Sequence, residues 1–361
     1  MTTWVTSDEA CERLGIRPQT LYAYVSRGRL TPRREGRRSL FEVRQLDAVA
    51  ATSRRSTRSG RLEVLIDTEV TLLDRRGALY YRGVDVTELA GDWSFERTAE
   101  WLWSGRDEPH PAWVAPPAWR DLARAAVGEQ PADRLRVAAA AIGAVADHAV
   151  ESVVPTGRAM IPALLDALPL VGRAIDDESI AARLWPRLTA RPATAARIRT
   201  LDAALVLLAD HEMAVSTVAA RVAASAWASP AACVLAGLAA HSGAFHGAAS
   251  TQAVEALREG DADLDRWCRH IVYDGPDPRA RALLALLPDS PARRRVLAAE
   301  HANIDLALAV LALECDMDVG AGEAVFAIAR VAGWLAHVAE EYERPFRFRP
   351  RASYVGPAPL R

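Results

Sequence analysis

The sequence predicts an all-α body preceded by a small, basic helix-turn-helix domain. Beyond Leu62, apolar residues recur with a helical period, Ala and Leu dominate, and Pro and Gly separate the segments. No strand–helix alternation, GxGxxG pattern or Walker loop occurs, which argues against nucleotide-binding α/β folds. The chain has 44 Arg and 46 acidic residues, and its first 60 positions hold 12 of the Arg and 6 of the acidic residues. A basic head therefore precedes an acidic body.

The overall composition is that of a globular protein. The chain has 361 residues, of which 50% are hydrophobic and 25% charged, and this excludes a mainly disordered chain. The net charge of −2 does not by itself point to nucleic acid. The cysteines show no CxxC spacing, which argues against a zinc site or a disulfide framework and predicts a reducing, cytoplasmic compartment. These cysteines are Cys11, Cys233, Cys268 and Cys315.

No segment of the sequence is predicted to enter a membrane. The first ten residues lack the charged and apolar runs of a signal peptide. The most apolar stretch, 217–240, is rich in Ala and contains Arg221. It is too weakly hydrophobic to span a bilayer, and it predicts a buried helix pair that breaks at Ser229 and Pro230.

The basic head, residues 1–50, predicts two short helices followed by a hairpin. Thr6 or Ser7 caps a first helix that Gly15 ends. Pro18 begins a second helix, in which Leu21 and Val25 face inward. An Arg-rich hairpin then turns at Gly36, a further helix covers 44–50, and residues 51–61 form a polar linker.

This pattern over residues 3–50 resembles the excisionase and MerR-like winged-helix families, which implies DNA binding. The second helix would enter the major groove, and the Arg-rich wing would contact phosphates. One such unit offers few base contacts, so useful affinity would require a dimer. The alternative is a domain that has lost DNA binding and serves regulation or assembly. The candidate DNA-contacting residues are Gln19, Thr20, Tyr22, Arg27, Arg33, Arg34, Arg37 and Arg38.

The body begins with a predicted hairpin and then becomes helical. Residues 70–83 alternate apolar positions around Arg76 and Gly77, which is a hairpin signal. Residues 107–117 form a Pro-rich loop.

Several polar residues in the helical body form a plausible reaction site. His211, His246 and His270 stand in organised contexts, although a lone His in a helical protein is more often structural. Asp305 and Arg330 lie in apolar helical segments, where an unpaired charge is costly. Histidines, a buried acid and arginines together suit proton abstraction next to a carbonyl, with Arg binding carboxylates.

Eight collinear segments of the body resemble citrate synthase, from about residue 62 to the C-terminus. Among them are DHEMAVST, FHGAAS, HIVYDGPDPRARALL, NIDLALAVL, FAIARVAGWLAHVAEE and RFRPRASYVGP. The resemblance implies an all-α homodimer with shared active sites, in which residues 62–361 form a large and a small helical domain. The small domain would cover approximately 250–325 and close over substrate. Some family members carry an N-terminal helix-turn-helix.

The resemblance also implies a role for each matching residue. Asp305 would remove the methyl proton of acetyl-CoA (or of propionyl-CoA in a 2-methylcitrate synthase), and His246 would hydrogen-bond the thioester oxygen. His270 would polarise the carbonyl of oxaloacetate. The thioester is a substrate, and no metal or other cofactor is expected. The residues that would hold the dicarboxylate are His211, Arg279, Arg330 and Arg349, the last from the other subunit.

The surroundings of these residues depart from the family pattern. The family's Pro-Gly-Phe-Gly before the third His is Arg266-Trp267-Cys268-Arg269 here, which removes both glycines from a loop that wraps CoA. Ala248 and Ser250 replace Gly and Asn, and Ala214 replaces Asn. Leu306, Ala307, Leu308 and Ala309 replace Phe-Tyr-Ser-Gly after the acid.

Three interpretations remain open at the level of sequence. The first is an active citrate or 2-methylcitrate synthase, which the retained charged set favours. The second is a degenerate synthase body that senses a metabolite while the head binds DNA. The third is a partner subunit that pairs with an authentic synthase.

Overall fold

The computed structural model divides into two compact units, residues 1–67 and 68–361. The residues that it describes are 4–14, 21, 25, 30–35, 38–43, 45–46, 66–243, 246–261, 263–264, 272–344 and 348. The predicted boundaries at residues 50 and 61, and that of the small domain, stay predictions.

The N-terminal unit contains a three-stranded antiparallel sheet beside a helix. Strand β1 (Trp4–Thr6) leads directly into helix α1 (Ser7–Leu14). Strands β2 (Arg33–Glu35) and β3 (Arg38–Glu42) form the predicted Arg-rich hairpin, with Glu35 opposite Arg38. The sheet order is β1-β3-β2. Strand β1 is not predicted by the sequence, because three residues are too few to show an alternating pattern.

Local chemistry fixes both the helix start and the core of this unit. Thr6 Oγ1 accepts from Glu9 N at 3.4 Å, and Glu9 Oε2 accepts from Thr6 N at 2.8 Å, which is a capping box. Leu21 is fully buried and Val25 packs on the same cluster, so the predicted inward face is confirmed. The other members of this cluster are Ala10, Cys11, Leu30, Phe41 and Leu46.

The larger unit opens with the predicted hairpin. Strands β4 (Thr71–Asp74) and β5 (Ala78–Tyr81) pair antiparallel across a turn in which Gly77 adopts φ 113°. That positive φ favours glycine at the turn. A two-residue strand that the sequence did not predict, β6 (Val84–Asp85), adds to β5.

The rest of the described chain in this unit is helical, which confirms the all-α prediction. Short Pro- and Gly-containing segments separate the helices. The α-helices are α2 (Val86–Asp92), α3 (Phe95–Ser104), α4 (Pro117–Arg124), α5 (Pro131–Gly143), α6 (Val153–Leu165), α7 (Ile180–Leu188), α8 (Ala195–Leu208), α9 (Val215–Ser225), α10 (Pro230–His241), α11 (Ala249–Glu259), α12 (Pro278–Ala285), α13 (Pro291–Ala298), α14 (Ile304–Glu314) and α15 (Ala321–Tyr342).

Helix α15 is the centre of this unit. Its residues from Ala321 to Val338 are all buried, and helices from both ends of the unit pack around it. It is also the one helix of the described residues that is long and apolar enough to cross a membrane. Because its apolar stretch is fully buried inside the protein, it has the character of a core helix.

The predicted helix pair is confirmed at α9 and α10. Ser229 caps α10 by accepting from Ala232 N at 3.3 Å, and Pro230 occupies the first helical position. Gly237 of α10 lets α15 approach closely, since a Cβ there would lie 2.6 Å from Trp334 Cδ2. Trp334 is fully buried and has no room to yield.

We therefore expect Gly237→Ala to overpack the contact between α10 and α15. The free energy of unfolding should fall by about 1–3 kcal/mol in urea denaturation. Gly91→Ala is the matched control, because a Cβ at Gly91 meets nothing within 4 Å. The control should be neutral or stabilising by up to ~1 kcal/mol. Equal losses in the two variants would contradict this account of the core.

Candidate active site

The first turns of α12 and α14 are held together by one carboxylate, that of Asp277. It caps α12 by accepting from Arg279 N at 3.0 Å, and it accepts from Ile304 N at 3.3 Å at the start of α14. Asp277 also binds the Arg279 guanidinium through Nε at 3.0 Å and Nη2 at 2.7 Å. Two helix N-termini and a buried guanidinium thus converge, which favours an anion nearby.

Asp305 lies in the first turn of α14 beside this junction. Asn303 caps the helix, and its amide Nδ2 is 3.4 Å from Asp305 Oδ2. Oδ1 is buried and has no hydrogen-bond partner among the described residues. Burial raises the pKa of Asp305 to about 7, against the opposing charges of Arg279 and Arg330. A carboxyl group with a pKa near neutral is suited to act as a general base.

Arg330 enters the site from α15. It is fully buried, its Nε donates to Leu208 O at 2.8 Å, and its guanidinium lies 4.5 Å from the centre of the Phe326 ring. Among the described residues, neither Nη1 nor Nη2 has a hydrogen-bond partner. Burial lowers the pKa of Arg330 to about 10, so the group stays charged at neutral pH. A buried cation with two unsatisfied nitrogens is costly unless an anion binds it.

His211 lies in the turn after α8 and faces the same cluster. Its Nε2 is 3.0 Å from the hydroxyl of Tyr273, which is 4% exposed. Burial raises the pKa of Tyr273, and the nearby charge of Arg279 lowers it. The Tyr273 hydroxyl therefore stays protonated and links His211 to the Arg279 side of the site.

His246 is oriented by a hydroxyl and two rings. Ser216 Oγ lies 2.8 Å from its Nε2. The His246 ring meets the rings of His241 and Phe326 edge to face, at centroid distances of 5.0 and 5.5 Å. The Arg330 guanidinium also packs on the Phe326 ring, so His246 and Arg330 contact the same aromatic side chain.

The structure thus brings together five of the seven residues predicted for the body: His211, His246, Arg279, Asp305 and Arg330. Contacts or charge interactions connect each to the next through Tyr273 and Phe326. His270, Arg349 and the segment 265–271 lie outside the described residues. The five supply a near-neutral carboxyl group, hydrogen-bonding imidazoles and two buried guanidinium groups. This set can bind a dicarboxylate and move a proton at carbon.

The comparisons with known proteins agree with this geometry. The profile of "Citrate synthase, C-terminal domain" matches residues 62–351. The chain belongs to the citrate synthase family. A curated "Citrate synthase" from Haloferax volcanii is 28% identical over 342 residues, covering 78% of this chain and 90% of that protein. A "2-methylcitrate synthase" from Shewanella oneidensis is 26% identical, covering 78% and 89%.

Solved structures support the same assignment. The crystal structure of citrate synthase from Thermotoga maritima superimposes with a TM-score of 0.69 at 26% identity, covering 82% of this chain and 95% of that chain. These findings confirm the predicted family, the all-α fold and the class of condensing enzyme. None of them favours the regulator interpretation.

A second family match covers the N-terminal unit. The profile of "Helix-turn-helix domain" matches residues 4–54. Arg33 is exposed, and its guanidinium lies 5.6 Å from the Trp4 ring centre. Arg34 and Arg38 lie on β2 and β3. Gln19, Thr20, Tyr22, Arg27 and Arg37 lie outside the described residues.

Several residues that hold the site together are not predicted by the sequence. Tyr273, Ser216 and Phe326 make its contacts, yet none of them is unusual in its local pattern. The "DPR" spacing of Asp277 and Arg279 was the one available signal, because a residue two positions after an N-cap can reach back to it. The structure also shows one consequence of a departure from the family pattern. Ala214, which replaces the family's Asn, leaves α9 without a side-chain N-cap.

The raised pKa of Asp305 predicts a pH-dependent stability cost. In the unfolded chain the pKa is about 3.9, so between about pH 4 and 7 the folded protein retains a proton that the unfolded chain loses. Folding stability from this group therefore falls as pH rises. The difference in melting temperature between Asp305→Asn and the parent (variant minus parent) should increase as pH rises from 5 to 8.

Asp121→Asn provides the control for this measurement, because the Asp121 side chain is 76% exposed. Its melting temperature relative to the parent should not change with pH in this range. A difference between Asp305→Asn and the parent that stays constant with pH would contradict the raised pKa.

Proposed function

We propose that this chain condenses acetyl-CoA with oxaloacetate and hydrolyses the product to citrate and CoA. The proposal rests on two groups that occur in the same site. The buried Nη1 and Nη2 of Arg330 lack partners among the described residues, and the carboxyl group of Asp305 has a pKa near neutral. The first group calls for an anion. The second can remove a weakly acidic proton beside that anion.

The dicarboxylate would bind between α8, α12 and α15. Arg330 and Arg279 would pair with its carboxylates, and His211, fixed by Tyr273, would hydrogen-bond to it. Family resemblance adds Arg349 from a second subunit and His270 at the ketone. Holding the acceptor in this way lowers the entropic cost of carbon–carbon bond formation.

The reaction would start at the methyl group of the thioester. Asp305 takes a methyl proton while His246, oriented by Ser216, donates a hydrogen bond to the thioester oxygen. The resulting enol carbon attacks the ketone carbon of oxaloacetate, and the ketone oxygen takes a proton from His270. Water then cleaves the thioester, releasing citrate and CoA. In this scheme CoA thioester is a substrate, and no metal or other cofactor takes part.

A homodimer is part of the proposal, and apolar side chains on neighbouring helices support it. Helices α5 and α9 both pack on α10. Val137 of α5 is 42% exposed, and Val215 and Val222 of α9 are 64% and 42% exposed. Burying such side chains against a second copy would remove them from water. The mass of the protein in solution tests this point.

DNA is the proposed partner of the N-terminal unit, and a cytoplasmic location is proposed for the whole chain. The first is supported by the helix-turn-helix match and by the arginines of the β2–β3 hairpin. The second is supported by the described cysteines, since Cys11, Cys233 and Cys315 form no disulfide.

The decisive test is free-thiol release by the full-length protein with acetyl-CoA, in the presence and absence of oxaloacetate. Release should depend on oxaloacetate. Asp305→Ala should lower kcat by ~10²–10⁴-fold, because it removes the base. Oxaloacetate should still raise the melting temperature of this variant, since both arginines remain. Asp121→Ala is the control and should keep full activity.

Three outcomes would count against the proposal. An active Asp305→Ala enzyme would exclude Asp305 as the base. Turnover of propionyl-CoA alone would replace acetyl-CoA with propionyl-CoA as the donor. Stabilisation by oxaloacetate without any thiol release would overturn catalysis and favour the metabolite-sensing interpretation.

DNA binding predicts a dependence on salt that two arginines can test. Replacing Arg33 and Arg34 by Gln in the full chain should lower the slope of log affinity against log salt by about 2, because two phosphate contacts are lost. The probe is a mixed-sequence DNA duplex. Replacing the exposed Arg106 and Arg199 of the body by Gln removes the same charge and should leave the slope unchanged. Equal slopes in all three proteins would contradict phosphate binding by this hairpin.

A further inference from the structure

One face of α15 contacts the turn that carries His211. Residues three and four apart share a face of a helix, so Arg330, Gly333 and His337 line up. Arg330 Nε donates to Leu208 O, Gly333 N donates to Ala209 O at 3.0 Å, and His337 Nε2 lies 3.2 Å from Asp210 Oδ2. A Cβ at Gly333 would lie 2.3 Å from Asp210 Oδ1, so this close approach requires glycine.

The carboxylate of Asp210 shapes the turn itself. It is fully buried, and its Oδ2 also accepts from Glu212 N at 2.9 Å. Glu212 adopts φ 54°, a left-handed conformation that a non-glycine residue needs local contacts to hold. Burial would raise the pKa of Asp210, but the hydrogen bond from His337 and the charge of Arg330 outweigh it and hold the pKa below its usual value. His211 stands between these two fixed residues.

The other side of the His337 ring fixes which nitrogen carries the proton. Arg221 Nη1 lies 2.8 Å from His337 Nδ1, and a guanidinium can only donate. Nδ1 therefore accepts, and Nε2–H donates to Asp210. Arg221 is fully buried and is itself held by Glu340 at 2.8 Å and Glu341 at 2.9 Å. The ring cannot turn without breaking this ion-pair network.

We propose that His337 is a positioning residue for dicarboxylate binding, which it serves by fixing Asp210 and so the turn that presents His211. The proposal rests on the proposed function, in which His211 binds oxaloacetate. His337 does not touch the substrate in this scheme. Its effect should therefore appear in the affinity for oxaloacetate and not in the handling of the thioester or in the chemical step.

His337→Leu and His337→Gln test this role. Leu provides neither the donor to Asp210 nor the acceptor for Arg221, whereas the Gln amide provides both. With Leu, KM for oxaloacetate should rise at least tenfold, while KM for acetyl-CoA and kcat at saturating oxaloacetate change less than threefold. With Gln, KM for oxaloacetate should return to within threefold of the parent value. Calorimetric titration with oxaloacetate alone should show the same order of affinities.

Gly157→Ala is the stability-matched control, because a Cβ there would lie 2.6 Å from Trp103 and 3.1 Å from Leu335, and Leu335 lies on the opposite side of α15 from His337. It should lower the melting temperature without changing KM for oxaloacetate. If His337→Leu fails to fold, His337→Asn replaces it, because its shorter amide keeps the polarity but cannot span Asp210 and Arg221. Its KM for oxaloacetate should then exceed that of His337→Gln.

The results distinguish failure of the positioning role from failure of the proposed catalysis. Equal rises in both KM values, or a fall in kcat alone, would overturn the positioning role. Failure of Gln to restore affinity would do the same. Oxaloacetate binding by the parent without thiol release would overturn the proposed catalysis, while the titrations would still decide the role of His337. A parent protein that does not bind oxaloacetate would overturn both.

Discussion

The buried positive charge of Arg330 is the constraint on which the rest of the site depends. A guanidinium inside an apolar helix core must be compensated, and among the described residues its hydrogen bonds satisfy only Nε. The carbonyl of Leu208 and the Phe326 ring hold the group in place, and the remaining nitrogens stay available for an anion. The same charge lowers the pKa of Asp210 and opposes the rise in the pKa of Asp305. One charge thus acts on two carboxyl groups, that of Asp305 and that of Asp210 in the His211 turn.

Helix α15 can accommodate such a charge because its residues from Ala321 to Val338 are all buried, more completely than those of any other described helix. Its apolar faces pack on helices from the start and the end of the unit, with Gly237 and Gly333 allowing the closest approaches. Its polar face meets Asp210 and Arg221 instead of apolar neighbours. The same helix therefore packs in the hydrophobic core and carries polar groups of the site, so a change in its core packing also shifts the geometry of the site.

Arg279 and Asp305 are positioned by the N-terminal turns of α12 and α14. Asp277 ties the first turns of α12 and α14 together and thereby places Arg279 beside Asp305. An acid in a first turn would normally be stabilised as the anion by the helix dipole. Burial overcomes that preference at Asp305 and raises its pKa to about 7. The departures from the family pattern in the apolar residues after Asp305 leave this arrangement of charged groups intact.

The sequence by itself determined the helical body, the hairpin around Gly77, the break at Pro230 and the identity of the charged residues, because each depends on local periodicity or on rare residues in apolar segments. It also identified the family through collinear motifs. Tertiary structure decided which groups those residues meet. Ser216, Tyr273 and Phe326 look ordinary in sequence, and His337 lies within an apolar helix far along the chain from Asp210. Only packing brings such distant residues within hydrogen-bond distance, and only burial there sets the pKa of Asp305 and leaves Arg330 in need of an anion.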